Sequence, residues 1–112
     1  MKINQVSKTS VKKTVHKIET KLIYDNNSAQ ASHLTLQPGE SLKPHITPVD
    51  VFFYILEGTP EIMVGDEKQV VEQDCLVESP KDIPHCIYNN SDKVVRVLVV
   101  KAPKPTSKTI FL

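Results

Sequence analysis

Short runs of β-branched and aromatic residues, separated by turn residues, dominate the sequence from Leu22 onward. Strong turn signals close the runs, namely Asp25-Asn26-Asn27-Ser28, Pro38-Gly39, Gly58-Thr59-Pro60, Gly65-Asp66 and Asn89-Asn90-Ser91-Asp92. No window shows the periodicity of an amphipathic helix. The sequence therefore predicts an all-β protein, and strands this closely spaced indicate a sandwich or a closed barrel.

Two of the runs predict which side chains face inward. In residues 29–37, Ser32, Leu34 and Leu36 fall on one face of an extended chain. In residues 49–57, Val51, Phe53 and Ile55 share one parity, so we expect them to line the barrel as core or as the apolar wall of a ligand pocket.

Length and charge restrict the function. The 112 residues suffice for one core. The formal net charge is +1, and Arg96 is the only arginine among 14 basic residues. Neither a strong positive field nor a set of arginine forks is present, so we expect no nucleic acid or anionic membrane as partner.

The apolar runs and the two cysteines bear on where the protein is located. No apolar run approaches the roughly 20 residues of a membrane helix, and the N-terminus has no apolar core typical of a signal peptide. Cys75 and Cys86 are too few for a disulfide scaffold and too far apart for a zinc knuckle. We expect a cytoplasmic protein.

Three segments are predicted along the chain. Residues 1–20 form a lysine-rich arm or edge strand, 21–102 the barrel, and 103–112 an extended tail. The tail ends in the apolar residues 110–112, which should dock on the protein's own sheet or on a second copy. We favour a homodimer.

The candidate site centres on two histidines. His45 and Thr47 share a face if the backbone is extended there, and His85 begins a second short apolar run, 86–88. If the two strands pair or face each other, the two imidazoles can meet in a pocket. We expect His16 to be an ordinary structural histidine and not a residue of the site.

The spacing of these residues resembles the first of two motifs of the cupin superfamily. Gly39 precedes His45 by six positions, and the stretch 53–58, Phe-Tyr-Ile-Leu-Glu-Gly, resembles the usual end of that motif. The resemblance covers residues 29–101. It implies a small single-domain cupin of the cupin-2 type, with an antiparallel jelly-roll barrel, or double-stranded β-helix.

The second cupin motif is matched at Pro80, His85 and Asn89. Asp74, before it, also agrees with a common choice of the family. Gln73 and Asp82 replace two glycines of this motif, which puts the local turn geometry in question.

The resemblance implies an incomplete metal site. Metal-binding cupins use two histidines and a glutamate of the first motif and a histidine of the second. Here His45 and His85 match, whereas Thr47 replaces the second histidine and Val51 the glutamate. A divalent metal (Fe, Zn, Mn or Ni) would need a third ligand. His33 and Asp50 are the candidates. Strand alternation turns Asp50 away from His45 unless a bulge near Pro48 brings it in, and the sequence does not fix the facing of His33.

Three functions remain open. The first is a module that binds a small molecule in the barrel, with a pocket of His45, Thr47, Val51, Phe53, Ile55, His85 and Ile87. The second is a metal-dependent isomerase or oxygenase acting on a sugar or a small organic acid through His45, His85 and a non-standard third ligand. The third is a structural or interaction module. No substrate can be named, because the fold hosts many functions.

Overall fold

The computed structural model describes residues 1–112 and contains ten β-strands, a short 3₁₀ helix and no α-helix. After the 3₁₀ helix Val6–Lys8, the strands are β1 Glu19–Asn26, β2 Ala29–Leu36, β3 Ser41–Ile46, β4 Asp50–Glu57, β5 Glu61–Val64, β6 Glu67–Val70, β7 Leu76–Ser79, β8 His85–Tyr88, β9 Val95–Ala102 and β10 Ile110–Phe111. They form two five-stranded antiparallel sheets, sheet A in the order β1-β2-β9-β4-β7 and sheet B in the order β10-β3-β8-β5-β6. The predicted all-β jelly-roll fold is confirmed.

The core lies between the inner faces of the two sheets. It contains twelve buried apolar residues: Ile18, Leu34, Leu36, Leu42, Val51, Phe53, Ile55, Ile62, Ile87, Val95, Val97 and Val99. The alternation predicted for β2 and β4 is confirmed, since Leu34 and Leu36, like Val51, Phe53 and Ile55, are buried. Burial of these side chains supplies the main driving force for closing the barrel.

A bulge in β3 turns His45 toward the interior. Leu42 pairs with Ile87 and His45 with His85, so β3 advances three residues where β8 advances two. Strict alternation would place Leu42 and His45 on opposite faces, whereas the extra residue brings both inward. Pro44 lies within this bulge, where a residue without a backbone N–H is tolerated.

Both ends of the chain pack on the barrel. The backbone N–H of Lys12 donates to the carbonyl of Thr20 (2.7 Å), and Lys21 Nζ donates to the carbonyl of Val6 (3.0 Å). At the other end, β10 pairs with β3, and Phe111 lies opposite His45. The arm and the tail therefore border the region of His45.

No helix in the structure has both the length and the apolar character needed to span a bilayer.

Two turns at the second cupin motif have a left-handed backbone conformation although neither has a glycine there. Asp82, at a motif glycine position, has φ 65°, and Asp74 also has φ 65°. Aspartate tolerates this region better than most residues because its short polar side chain can bond locally. The replacement of glycine at position 82 therefore does not prevent the turn.

Gly58 and Gly39 allow the effect of a steric clash to be separated from the effect of backbone strain. Both have positive φ, 87° and 85°, but a Cβ on Gly58 would lie 2.6 Å from the carbonyl oxygen of Val94, whereas one on Gly39 meets nothing within 4 Å. Gly39→Ala should lower the free energy of unfolding by about 1 kcal/mol through strain. Gly58→Ala should cost a further 1–3 kcal/mol or so through the clash. Urea denaturation measures both, and equal losses would contradict the packing argument.

Candidate functional site

The two motif histidines lie side by side at one end of the core. His45 on β3 and His85 on β8 are paired across the strands, and their Nε2 atoms are 3.0 Å apart. Their exposed fractions are 6% and 1%. The predicted meeting of the two imidazoles inside the barrel is therefore observed.

Their neighbours determine which nitrogen carries the hydrogen. His45 Nδ1 is 2.6 Å from the carbonyl of Lys43, which can only accept, so Nδ1 donates and Nε2 of a neutral His45 accepts. His85 Nε2 then donates to His45, and His85 Nδ1 accepts from Ser79 Oγ at 2.6 Å. The result is an ordered chain of hydrogen bonds from Ser79 through both rings to the carbonyl of Lys43.

Thr47 belongs to the same network. Its Oγ1 lies 3.1 Å from His85 Nε2, and its side chain is buried. With the tautomers above, the Nε2–H of His85 points toward both His45 and Thr47. Thr47 therefore acts on the site by orienting His85.

The histidines are neutral at pH 7. Burial, together with the positive charges of His45 and Lys101, lowers the pKa of His85 to about 3. Burial also lowers the pKa of His45, against the hydrogen bond to Lys43, which raises it. Two protonated imidazoles in this contact would repel each other in a poorly solvated environment.

A cavity of about 320 Å³ opens beside His45. It lies between the arm, the tail and the inner faces of both sheets. Its lining consists of Lys12, Thr14, Val15, His16, Thr20, Ser32, Leu34, Leu42, His45, Val99, Lys101, Thr109 and Phe111. The exposed residues Lys12, Val15 and Phe111 mark its mouth.

His16 lines this cavity, contrary to the expectation of an ordinary structural histidine outside the site. Its ring centroid is 5.1 Å from that of His45 and 5.4 Å from that of Phe111, and its Nδ1 accepts from the N–H of Lys43 at 3.1 Å. Burial, together with the charges of His45, Lys101 and Lys43, lowers its pKa to about 4. Sequence reasoning missed His16 because no local pattern shows that the arm folds back over the barrel.

The predicted apolar pocket residues lie in the core instead of along the cavity. Val51, Phe53, Ile55 and Ile87 are buried, and none of them lines the cavity. The Phe53 ring packs edge-on against His85 with centroids 5.2 Å apart. These residues support the histidine pair from behind.

The residues present do not fit a metal ion. His33 lies on the outer face of sheet A, where its Nε2 accepts from Arg96 Nε at 3.1 Å, and Asp50 is exposed and accepts from the N–H of Lys81 at 2.8 Å. Strand alternation directs both side chains away from His45, so neither can serve as the third ligand. No group of three histidine, cysteine, aspartate or glutamate side chains is arranged to hold a metal ion.

The buried histidines make stability depend on pH. Because the pKa of His85 is lowered from 6.5 to about 3 in the folded state, the unfolded chain binds the proton first as pH falls. Stability is then fully present above pH 6.5 and declines as the pH falls from 6.5 toward 3. At pH 5 the loss from His85 alone is about 2 kcal/mol.

Urea denaturation of the wild-type protein and of His85→Gln at pH 7 and pH 5 measures this effect. The difference in unfolding free energy between the two pH values should be smaller in the variant by about 2 kcal/mol. An unchanged difference would show that His85 is not held neutral by its surroundings.

Solved structures with the same fold come from several sources. TT1209 from Thermus thermophilus is 25% identical, with a TM-score of 0.81 over 94% of this chain and 100% of that chain. The polyketide cyclase RemF from Streptomyces resistomycificus is 16% identical, with a TM-score of 0.86 over 100% and 85%. KdgF from Halomonas sp. is 15% identical, with a TM-score of 0.83 over 95% and 96%.

Comparison of the amino-acid sequence with family models indicates the same family as the fold does. No curated protein matches the chain significantly. A protein-family model described as a cupin domain matches residues 32–101, which include β2 through β9 almost completely and both histidines of the pair. The chain belongs to the cupin family.

Proposed function

We propose that this cupin binds a small molecule in the cavity beside His45. The observation that carries the proposal is the convergence of polar side chains from both sheets and the arm on a partly apolar cavity of about 320 Å³. A concave, largely preformed space with a few directed polar groups is the usual form of a small-molecule site.

Within the proposed site, His45, Thr47 and His85 have different roles. His45 lines the cavity and would contact the ligand, whereas His85 and Thr47 lie behind it and hold its ring. Because His85 donates to His45 and is itself anchored by Ser79, the His45 ring is fixed before any ligand arrives. Such preorganisation reduces the entropy that binding must overcome.

The atoms available as metal ligands do not favour the metal-dependent isomerase or oxygenase. His45 and His85 provide two nitrogen ligands, and their Nε2 atoms are hydrogen-bonded to each other. The polyketide cyclase among the structural neighbours shows only that this fold can host chemistry on an organic molecule. Binding is therefore the function that the geometry supports best.

The homodimer and the cytoplasmic location stay predictions from the sequence. Ile110, Phe111 and Leu112 remain exposed after β10 has paired with β3 and so offer apolar surface to a second copy. Gel filtration with light scattering would distinguish a dimer from a monomer of 12.6 kDa.

Filling the cavity should abolish binding without unfolding the barrel. Ser32 lines the cavity on the inner face of β2, so the phenyl group of Ser32→Phe should occupy the ligand space. Thr35→Phe adds the same group to the outer face of the same strand and serves as the control. A fragment library screened by ¹H–¹⁵N NMR should give hits whose shifts map to cavity residues in the wild-type and control proteins.

Those shifts should disappear in Ser32→Phe. The proposal fails if no fragment perturbs the cavity residues, or if the hits bind Ser32→Phe as well as the wild-type protein. The dispersion of each variant's spectrum reports that its barrel is folded.

A further inference from the structure

The charges that line the cavity are of one sign. Lys101 on β9 and Lys12 on the arm are both in its wall, and no aspartate or glutamate is. The whole chain is nearly neutral, with a formal net charge of +1, so this segregation is local. A low-dielectric concave site lined by cations attracts an anion.

Lys101 lacks a partner for its charge. The four ion pairs of the chain join Lys21 to Glu19, Lys68 to Glu61, Arg96 to Glu57 and Lys104 to Asp25, and none includes Lys101. Burial lowers the pKa of Lys101, and the charge of Lys12 lowers it further. A half-buried ammonium without a counter-ion is costly for the fold, and an anionic ligand would compensate that cost.

A second observation in the same wall also indicates a missing polar partner. Thr14 Oγ1 is buried without any hydrogen-bond partner, and Thr14 lines the cavity. Buried hydroxyls are usually satisfied, so an orphan beside a cavity marks a place where a ligand atom or a water can bond. Thr14 and Lys12 are two residues apart on the arm, so both can contribute to one site.

The rest of the lining indicates an apolar body attached to the anionic group. On sheet A, Gln30 pairs with Lys101, Ser32 with Val99 and Leu34 with Val97, so the inner face becomes more apolar with distance from Lys101. Leu42 from sheet B adds to the same apolar wall. The cavity is thus cationic near Lys101 and apolar near Leu34.

The chemistry of the cations favours a carboxylate over a phosphate ester. Arg96, the only arginine, lies on the outer face of sheet A with His33, and no α-helix N-terminus is present. Dianionic phosphates are commonly held by arginine forks or helix N-termini, which this cavity lacks. Of the two lysines, Lys12 is exposed at the mouth and only Lys101 is half-buried, so the interior of the cavity offers one ammonium, which matches a single negative charge.

We infer that the cavity selects small organic carboxylates, with Lys101 as the counter-ion of the carboxylate and Leu34, Leu42 and Val99 around the apolar body of the ligand. The inference rests on the proposed function and adds a ligand class to it. Lys12, Thr14 and His16 come from the arm, outside residues 32–101 that match the cupin family, and complete the wall of the cavity around Lys101.

Pairs of isosteric probes test the inference directly. Benzoate and hexanoate, with benzamide and hexanamide as their neutral counterparts, are titrated into the full chain and followed by ¹H–¹⁵N NMR. The carboxylates should shift cavity residues and bind at least about tenfold more tightly than the amides, as expected for one charge-assisted hydrogen bond. Phenyl phosphate, titrated in parallel, should bind more weakly than benzoate.

Substitution of one lysine identifies the source of the selectivity. Lys101→Met keeps the length of the side chain and should reduce the preference for benzoate over benzamide to about onefold. Lys104→Met removes a lysine that pairs with Asp25 outside the cavity and should leave the preference unchanged. Without ligand, Lys101→Met should raise the urea midpoint, because an uncompensated half-buried charge has been removed.

The outcomes separate the two proposals. If the amides bind in the cavity as tightly as the carboxylates, or if phenyl phosphate binds more tightly than benzoate, the carboxylate inference is overturned while small-molecule binding stands. If the carboxylates bind and Lys101→Met retains the full preference, the role of Lys101 is overturned. If neither these probes nor any fragment of the library perturbs the cavity, the proposed function fails as well.

Discussion

Burial of the two inner sheet faces against each other is the constraint on which this structure depends. Apolar side chains of both sheets fill the interior, and the histidine pair lies at the boundary of that core with Phe53 packed on His85. In such surroundings every polar atom needs a partner. That requirement fixes the tautomers of His45 and His85 through the carbonyl of Lys43 and the hydroxyl of Ser79.

The departures from the cupin metal pattern form a consistent set. Val51, at the position of the family's glutamate, is part of the core, and Thr47, at the position of a histidine, bonds to His85. The Nε2 atoms of the two remaining histidines satisfy each other instead of pointing to a shared open position. Val51 also lies opposite Lys101 across β4 and β9, so the charge of that lysine is left unpaired where a glutamate could have neutralised it.

The segments that flank the matched cupin residues shape the cavity as much as the barrel does. His16 packs on His45 and Phe111, so the arm and the tail meet at the same imidazole. The arm supplies a cation and the orphan hydroxyl of Thr14, and the tail supplies an aromatic ring at the mouth. Two proteins with the same barrel can therefore differ in ligand because their termini differ.

The sequence by itself determined the fold and the meeting of two histidines. Strand alternation depends on neighbouring residues only, so the inner faces of β2 and β4 could be predicted, and the cupin spacing placed His45 and His85 correctly. The same alternation rule already turned Asp50 away from the site. The facing of His33 was open, and the structure places it on the outer face of β2, where it is buried and accepts a hydrogen bond from Arg96.

Only the tertiary structure decided what surrounds those histidines. The return of the arm to His45, the unpaired charge of Lys101 and the burial of Val51, Phe53, Ile55 and Ile87 as core depend on contacts between residues far apart in the chain. No local pattern encodes such contacts, because they arise from the closure of the barrel and from where its two ends come to lie.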